Sequence, residues 1–286
     1  REVFIELEFK NLARRVLGEE IVVSAAPIMD NNGQMDLFGK QAVAEEIKPT
    51  EPEDYKTIAS ENYSYHLIST PQERKELLAL LMKQKKVCFD TETDRLDALH
   101  ANIVGVAFSY KANEAFYVTI PTDFEEAKKI VEEFRPFFES TKIEKIAHNI
   151  KYDIKVINRY AVAVEAPTFD TMIAHYLINA DSKQSMDFLS EFYLKYKPVS
   201  IETLIGKKGK NQKTMADLDP EEVYEYACED ADITFQLMEI FEPEIQKEHL
   251  KELFYNMEMP LVDVLKSMEQ EGITIDSEGL KNYSVE

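Results

Sequence analysis

Two acids one residue apart, Asp90 and Glu92, stand where the apolar run of "VCFDTETDRLD" (residues 87–97) comes to an end. On an emerging strand, side chains at i and i+2 point to the same face, so the two carboxylates outline a metal site. Further on, "AHNIKYD" carries Asn149 and Asp153 four residues apart at the start of a helix. "YEYACEDAD" carries Tyr226 and Asp230 at the same separation, and each pair therefore shares a helix face. Each residue also has an ordinary reading: D-x-E arises by chance among 54 acids, Asn149 can cap its helix, Asp153 can face water and Tyr226 can be core. Together they form an ordered set.

The elements that must hold this set are legible from residue 65 onward. "TPQERKELLALLMKQ", with Pro71 near its start and leucines at helical spacing, predicts a helix. "KVCFD", "NIVGVAFSY" and "EAFYVTIP" predict three consecutive strands joined by tight connections. "DFEEAKKIVEEFRPFFES" reads as helix and "KIEKIAHN" as a fourth short strand. Helices are expected near 150–160, 170–180, 185–196, 220–247 and 251–271, with Ala227 and Ala231 letting the fourth of them lie close to its neighbours. The fold class is α/β: a mixed sheet, an antiparallel meander plus further strands, with helices on its faces. Residues 1–17 read as an amphipathic helix with Phe4, Leu7, Leu12 and Leu17 on one face, and 18–64 as a mobile linker rich in small, acidic and Pro residues.

Composition narrows the class. With 286 residues and 44% hydrophobic content the chain can bury a core. Its 33 Lys and Arg against 54 Asp and Glu leave a net charge of -21, which repels polyanions at long range. Nucleic-acid binding would then need local sites or a partner domain. The two cysteines, Cys88 and Cys228, lack metal or disulfide spacing and read as reduced, buried thiols of a cytoplasmic protein. No run approaches the ~18 apolar residues of a membrane span, and a start without Met fits a piece of a longer protein.

"FDTET", "HNIKYD" and "YACEDAD" resemble the three motifs of the DEDD exonuclease superfamily in its tyrosine-containing branch, over about residues 65–250. "DTETDRLD", "FDTMIAHYLIN" and "EDADIT" are most similar to the 3'-5' exonuclease (proofreading) domain of bacterial DNA polymerase I, a family A polymerase. The resemblance implies a ribonuclease H-like fold and four domain segments: 1–17 closing a 5' nuclease-like domain, 18–64 a linker, 65–250 the exonuclease, and 251–286 opening a polymerase domain. It implies a monomer joined covalently to those domains in a bacterial, nucleoid-associated protein with no membrane contact.

The same resemblance implies Asp90, Glu92, Asp153 and Asp230 as ligands of two divalent ions, magnesium with manganese as second choice. Asp90 would bridge the ions, Glu92 and Asp230 would complete the water-activating site, and Asp153 would hold the second ion. Tyr226 and Glu92 would orient the attacking water, a positioning role that suits a phenol of ordinary pKa near 10. Thr91, Leu96, Asn149 and Tyr152 are assigned to the substrate, Leu96 as a wedge between the last bases. Two ions about 3.5–4 Å apart supply what phosphodiester cleavage needs. The substrate is a single-stranded or frayed DNA 3' end, and the products are nucleoside 5'-monophosphates. A ribonuclease D-like RNA processor and a catalytically silent spacer are the competing expectations. The loop "GKKGKNQK", with Lys207, Lys208, Lys210 and Lys213, is either a phosphate contact or a solvated loop. His148 reads as a structural histidine.

Overall fold

The computed structural model describes residues 55–60, 62–209 and 212–284. The expected helix at 1–17, residues 18–54 of the expected linker, and Lys210 lie outside the described residues. The chain enters a sheet with β1 (Ser64–Ile68), then forms α1 (Pro71–Leu81) and the strands β2 (Lys86–Thr93), β3 (Ile103–Lys111) and β4 (Glu114–Thr119). Helices α2 (Phe124–Glu133) and α3 (Arg135–Phe138) lead to β5 (Glu144–Ala147), α4 (Ile150–Asn158), β6 (Thr168–Asp170) and α5 (Thr171–Ile178). Next come α6 (Met186–Leu189), prolonged by a π turn over Ser190–Leu194, then α7 (Ile201–Ile205) and the long α8 (Pro220–Lys247). The described chain closes with α9 (Lys251–Leu253), a π turn over Phe254–Glu258, α10 (Met259–Glu271) and α11 (Ser277–Tyr283).

The strands pair in the order β1-β4-β3-β2-β5-β6. β2, β3 and β4 form the antiparallel meander, while β1 runs parallel to β4, β5 to β2 and β6 to β5. The mixed sheet expected from sequence is therefore present. Register sorts its two faces. Phe89, Phe108 and Phe116 are cross-strand partners on one face, where Phe108 stacks on Phe134 (5.2 Å) and meets Phe137 edge-on (5.5 Å). Asp90, Ala107 and Tyr117 form the next row on the opposite face. That face is covered by α8, whose Ala227 and Ala231 are wholly buried and permit the close approach. A 28-residue helix thus lies across the strand that ends in Asp90 and Glu92.

Several segments differ from expectation. Residues 55–60 and 62–64, expected within the mobile linker, are tied down: Lys56 N–H donates to Lys195 O and Lys197 N–H to Lys56 O, both at 2.9 Å, and Ser64 opens β1. Backbone pairing of this kind is indifferent to side-chain type, so composition carries no trace of it. The helix expected over 185–196 stops at Leu194 because Lys195 adopts a left-handed conformation, φ 53°. Residues 251–271, within the segment 251–286 assigned to the opening of a polymerase domain, pack against the elements before them. The buried Phe254 ring lies 4.8 Å from Phe169, and Glu269 on α10 pairs with Lys151 (2.5 Å) and Lys155 (2.6 Å) on α4.

Candidate active site

β2 delivers Asp90 and Glu92 to the face covered by α8, and α8 returns Asp230 to the same place. One carboxylate oxygen from each of the three lies within 4.8 Å of the others. Glu92 and Asp230 are buried, and neither Asp90 nor Glu92 accepts a hydrogen bond from any described residue. Burial pushes Asp90 up to about 6, and burial together with the neighbouring Asp90 pushes Glu92 up to about 8. Asp230 is raised well above the carboxylate range by burial, then by Asp90 and Glu92. An all-oxygen set of mutually repelling acids fits hard divalent cations, whose charge would cancel that repulsion.

Asp153 arrives from α4 and stands apart from the three. Its Oδ1 accepts the Thr91 backbone N–H (3.1 Å) and the Thr91 hydroxyl (2.5 Å), and Asp90 is near enough to raise its pKa further. Thr91, expected at the substrate, thus spends its hydroxyl on holding Asp153. The Tyr226 phenol lies against Asp230 one turn along α8, kept neutral by burial and by that charge.

Asn149 precedes α4 in the left-handed region (φ 62°, ψ 49°), and its side chain does not cap the helix. Asp170 caps it instead. Its Oδ2 accepts Ile150 N–H (2.8 Å), while Oδ1 accepts Asn149 (3.2 Å), Met172 (2.8 Å) and Ile173 (3.2 Å). One buried carboxylate therefore closes the N-termini of both α4 and α5, freeing the Asn149 side chain, which is exposed beside the site. Tyr152 shares a 2.6 Å hydrogen bond with the Thr93 hydroxyl and donates to Arg95 O (3.0 Å).

A cleft of about 510 Å³ adjoins Glu92. Leu96 and Tyr152 line it together with Ile201, Ile205, Lys208 and Met215. Leu96 is 94% exposed, which removes it from the core and leaves it on the cleft rim. Lys213 also faces the cleft, whereas Lys207 does not line it. His148 bonds Thr171 Oγ1 through Nδ1 (2.9 Å) and burial lowers it to about 4, so it is a neutral structural histidine.

Two features escaped the sequence reading. Asp170 stands directly before the apolar helix "TMIAHYLI", an N-cap signal. Gly105, paired with Glu92, has no room for a side chain: a Cβ there would fall 2.2 Å from Cζ and Oη of Tyr117. Tyr117 leans across β3 over Gly105 towards Glu92, whose charge helps to raise its pKa. A glycine inside a strand pattern was the available signal of such a close approach.

The family model described as 3'-5' exonuclease matches residues 65–246. DNA polymerase I of Borreliella burgdorferi is 36% identical over 256 residues, covering 88% of this chain and 27% of that protein. The chain spans about a quarter of the length of the curated relatives it matches. Among solved structures, the POL domain of Pol1 from M. smegmatis in complex with DNA primer-template and dNTP superposes with a TM-score of 0.60 at 17% identity, covering 76% of this chain and 34% of that one. Brucella melitensis NrnC with bound Mg2+ superposes with a TM-score of 0.55 at 18% identity, covering 76% of this chain and 99% of that one. The fold is that of ribonuclease H-like exonuclease and polymerase domains.

Proposed function

The chain belongs to the 3'-5' exonuclease family of DNA polymerase I, and from that premise we propose that it edits DNA. It removes nucleotides one at a time from a melted or mismatched 3' end, releasing nucleoside 5'-monophosphates, as the proofreading module of a polymerase to which it is covalently joined. The observation that carries this reading is the group formed by half-buried Asp90 with buried Glu92 and Asp230, in which no described residue donates a hydrogen bond to Asp90 or Glu92, at the edge of a cleft large enough for a nucleotide. These three acids with Asp153 would hold two magnesium ions, which supply water activation and charge stabilisation for phosphodiester hydrolysis.

The chain's own groups do the positioning. Tyr226, neutral and beside Asp230, donates a hydrogen bond to orient a water. Leu96 on the rim presents an apolar edge to the terminal base, a contact that tolerates any base, as an editor requires. Asn149, its side chain spared from capping, is free to bind substrate. Selectivity follows from melting: a mismatched end unpairs at less cost than a matched one.

A 5'-labelled primer with a single 3' mismatch tests the reading. In magnesium it should shorten stepwise, faster than a matched primer, and release nucleoside 5'-monophosphate; a chelator should stop it. Preferential trimming of RNA ends, or shortening that survives chelation, would overturn it.

A further inference from the structure

Glu229 and Asp230 are neighbours on α8 that face different ways. Asp230 joins the acid group, whereas Glu229, wholly buried, grips a different part of the chain. One carboxylate oxygen accepts the Tyr196 phenol (2.5 Å) and the other the Val199 N–H (2.8 Å). The segment so held is fixed from other directions as well: Ser190 Oγ donates to Tyr196 O (2.9 Å), and the Lys56 backbone pairs on either side of Tyr196.

Two residues beyond Val199 begins α7, which supplies Ile201 and Ile205 to the wall of the cleft that Leu96 also lines. α7 has no fully buried residue, and its hold on the core is the partly buried Leu204 and Ile205 of its last turn. At its far end the wall is fastened by the buried Met215. At its near end the fastening is the segment that Glu229 holds.

We infer that Glu229 is a positioning residue for the substrate, fixing the cleft wall to the same helix that carries Asp230 so that the gap between wall and acids is set. The inference rests on the exonuclease reading. Loss of the carboxylate leaves a phenol O–H and a backbone N–H without their acceptor, and the segment must move to satisfy them. A diester that reaches only the acids should be indifferent to this. A strand that runs along the wall should not be.

The test uses the whole chain in magnesium with two substrates: a single-stranded oligodeoxynucleotide, and thymidine 5'-monophosphate p-nitrophenyl ester as the smallest diester. Glu229→Ala should raise KM for the oligonucleotide about tenfold while kcat stays within about twofold, and hydrolysis of the small ester should change by less than about twofold. Glu229→Gln, whose amide still offers an acceptor to Val199 and a donor to Tyr196, should recover most of the loss. Tyr196→Phe should fall between them. If Glu229→Ala does not fold, as judged by thermal melting, the comparison of Glu229→Gln with Tyr196→Phe on the two substrates carries the test. Equal losses on both substrates, a fall in kcat at unchanged KM, or no effect would overturn the assignment while leaving the exonuclease reading intact. A wild-type chain inert towards both substrates would overturn both.

Discussion

Two sets of carboxylates, all but Asp90 buried, are treated in opposite ways. Asp170 accepts four backbone N–H groups, Glu229 a phenol and an amide, and Asp232 the Tyr65 phenol (2.9 Å), the Asn113 N–H (2.9 Å) and the Gln236 amide (3.0 Å). Asp90 and Glu92 face each other and Asp230 with no such donors among the described residues. Burial is common to both sets; what differs is what neutralises the charge. Donors that belong to the fold make a carboxylate a fastening, whereas their absence leaves a group that must keep its proton or take up a cation.

The contrast is broken most directly by exchanging the two kinds of loss. Asp230→Asn should lower exonuclease turnover by roughly 10³-fold or more, the scale of a catalytic metal's contribution. It should also raise the melting temperature in chelator, because burial and the neighbouring acids make the fold hold Asp230 against its ionisation, a cost that an asparagine does not carry. Asp170→Ala should do the reverse, costing about 3 kcal/mol in denaturant unfolding by orphaning two helix N-termini. An Asp230→Asn variant that melts lower than wild type without metal would erase the distinction.

The pH dependence sharpens it. Unfolded carboxylates ionise near 4, whereas Glu92 in the fold ionises at about 8 and Asp90 at about 6. Between those limits the folded chain retains protons that the unfolded chain has released, so these two groups make stability fall as pH rises and level off above about 8. Thermal melts in chelator between pH 6 and 8 should show this decline, and Glu92→Gln should flatten it. Magnesium should reverse it.

Smaller effects follow. Gly105→Ala should cost about 2 kcal/mol, the scale of core overpacking, since Tyr117 has to leave its place beside Glu92. Glu269→Ala should cost only about 0.5 kcal/mol in the same assay, because the carboxylate that pairs with Lys151 and Lys155 is 40% exposed.

The acids were legible in sequence because their spacing is local: i and i+2 on a strand, i and i+4 on a helix. The meander was legible because its strands are β-rich and separated by short connections. β1 was not, since "SYHLI" is only five residues long and exposed or half-exposed at four of them, so its alternation of Tyr65 and Leu67 with polar residues is too short to stand out. Three-residue β6 and exposed α7 carry too little pattern to register. Glu229 and Asp232 look like surface charge on an amphipathic helix, and their partners Tyr196, Val199, Tyr65 and Asn113 are distant in the chain. The same distance hides the relation between Asp170 and Asn149, for which only half the signal, the cap of α5, is written locally.

The clasp between Glu269 and the lysines of α4 has a mechanical meaning. Asn149, Tyr152 and Asp153 ride at the head of the helix that Lys151 and Lys155 belong to, so a pull on α10 is transmitted through two short ionic links to the helix that carries Asp153. Any body that moves α10 holds a lever on the position of Asp153, and salt, by loosening those links, slackens the lever before it disturbs the sheet.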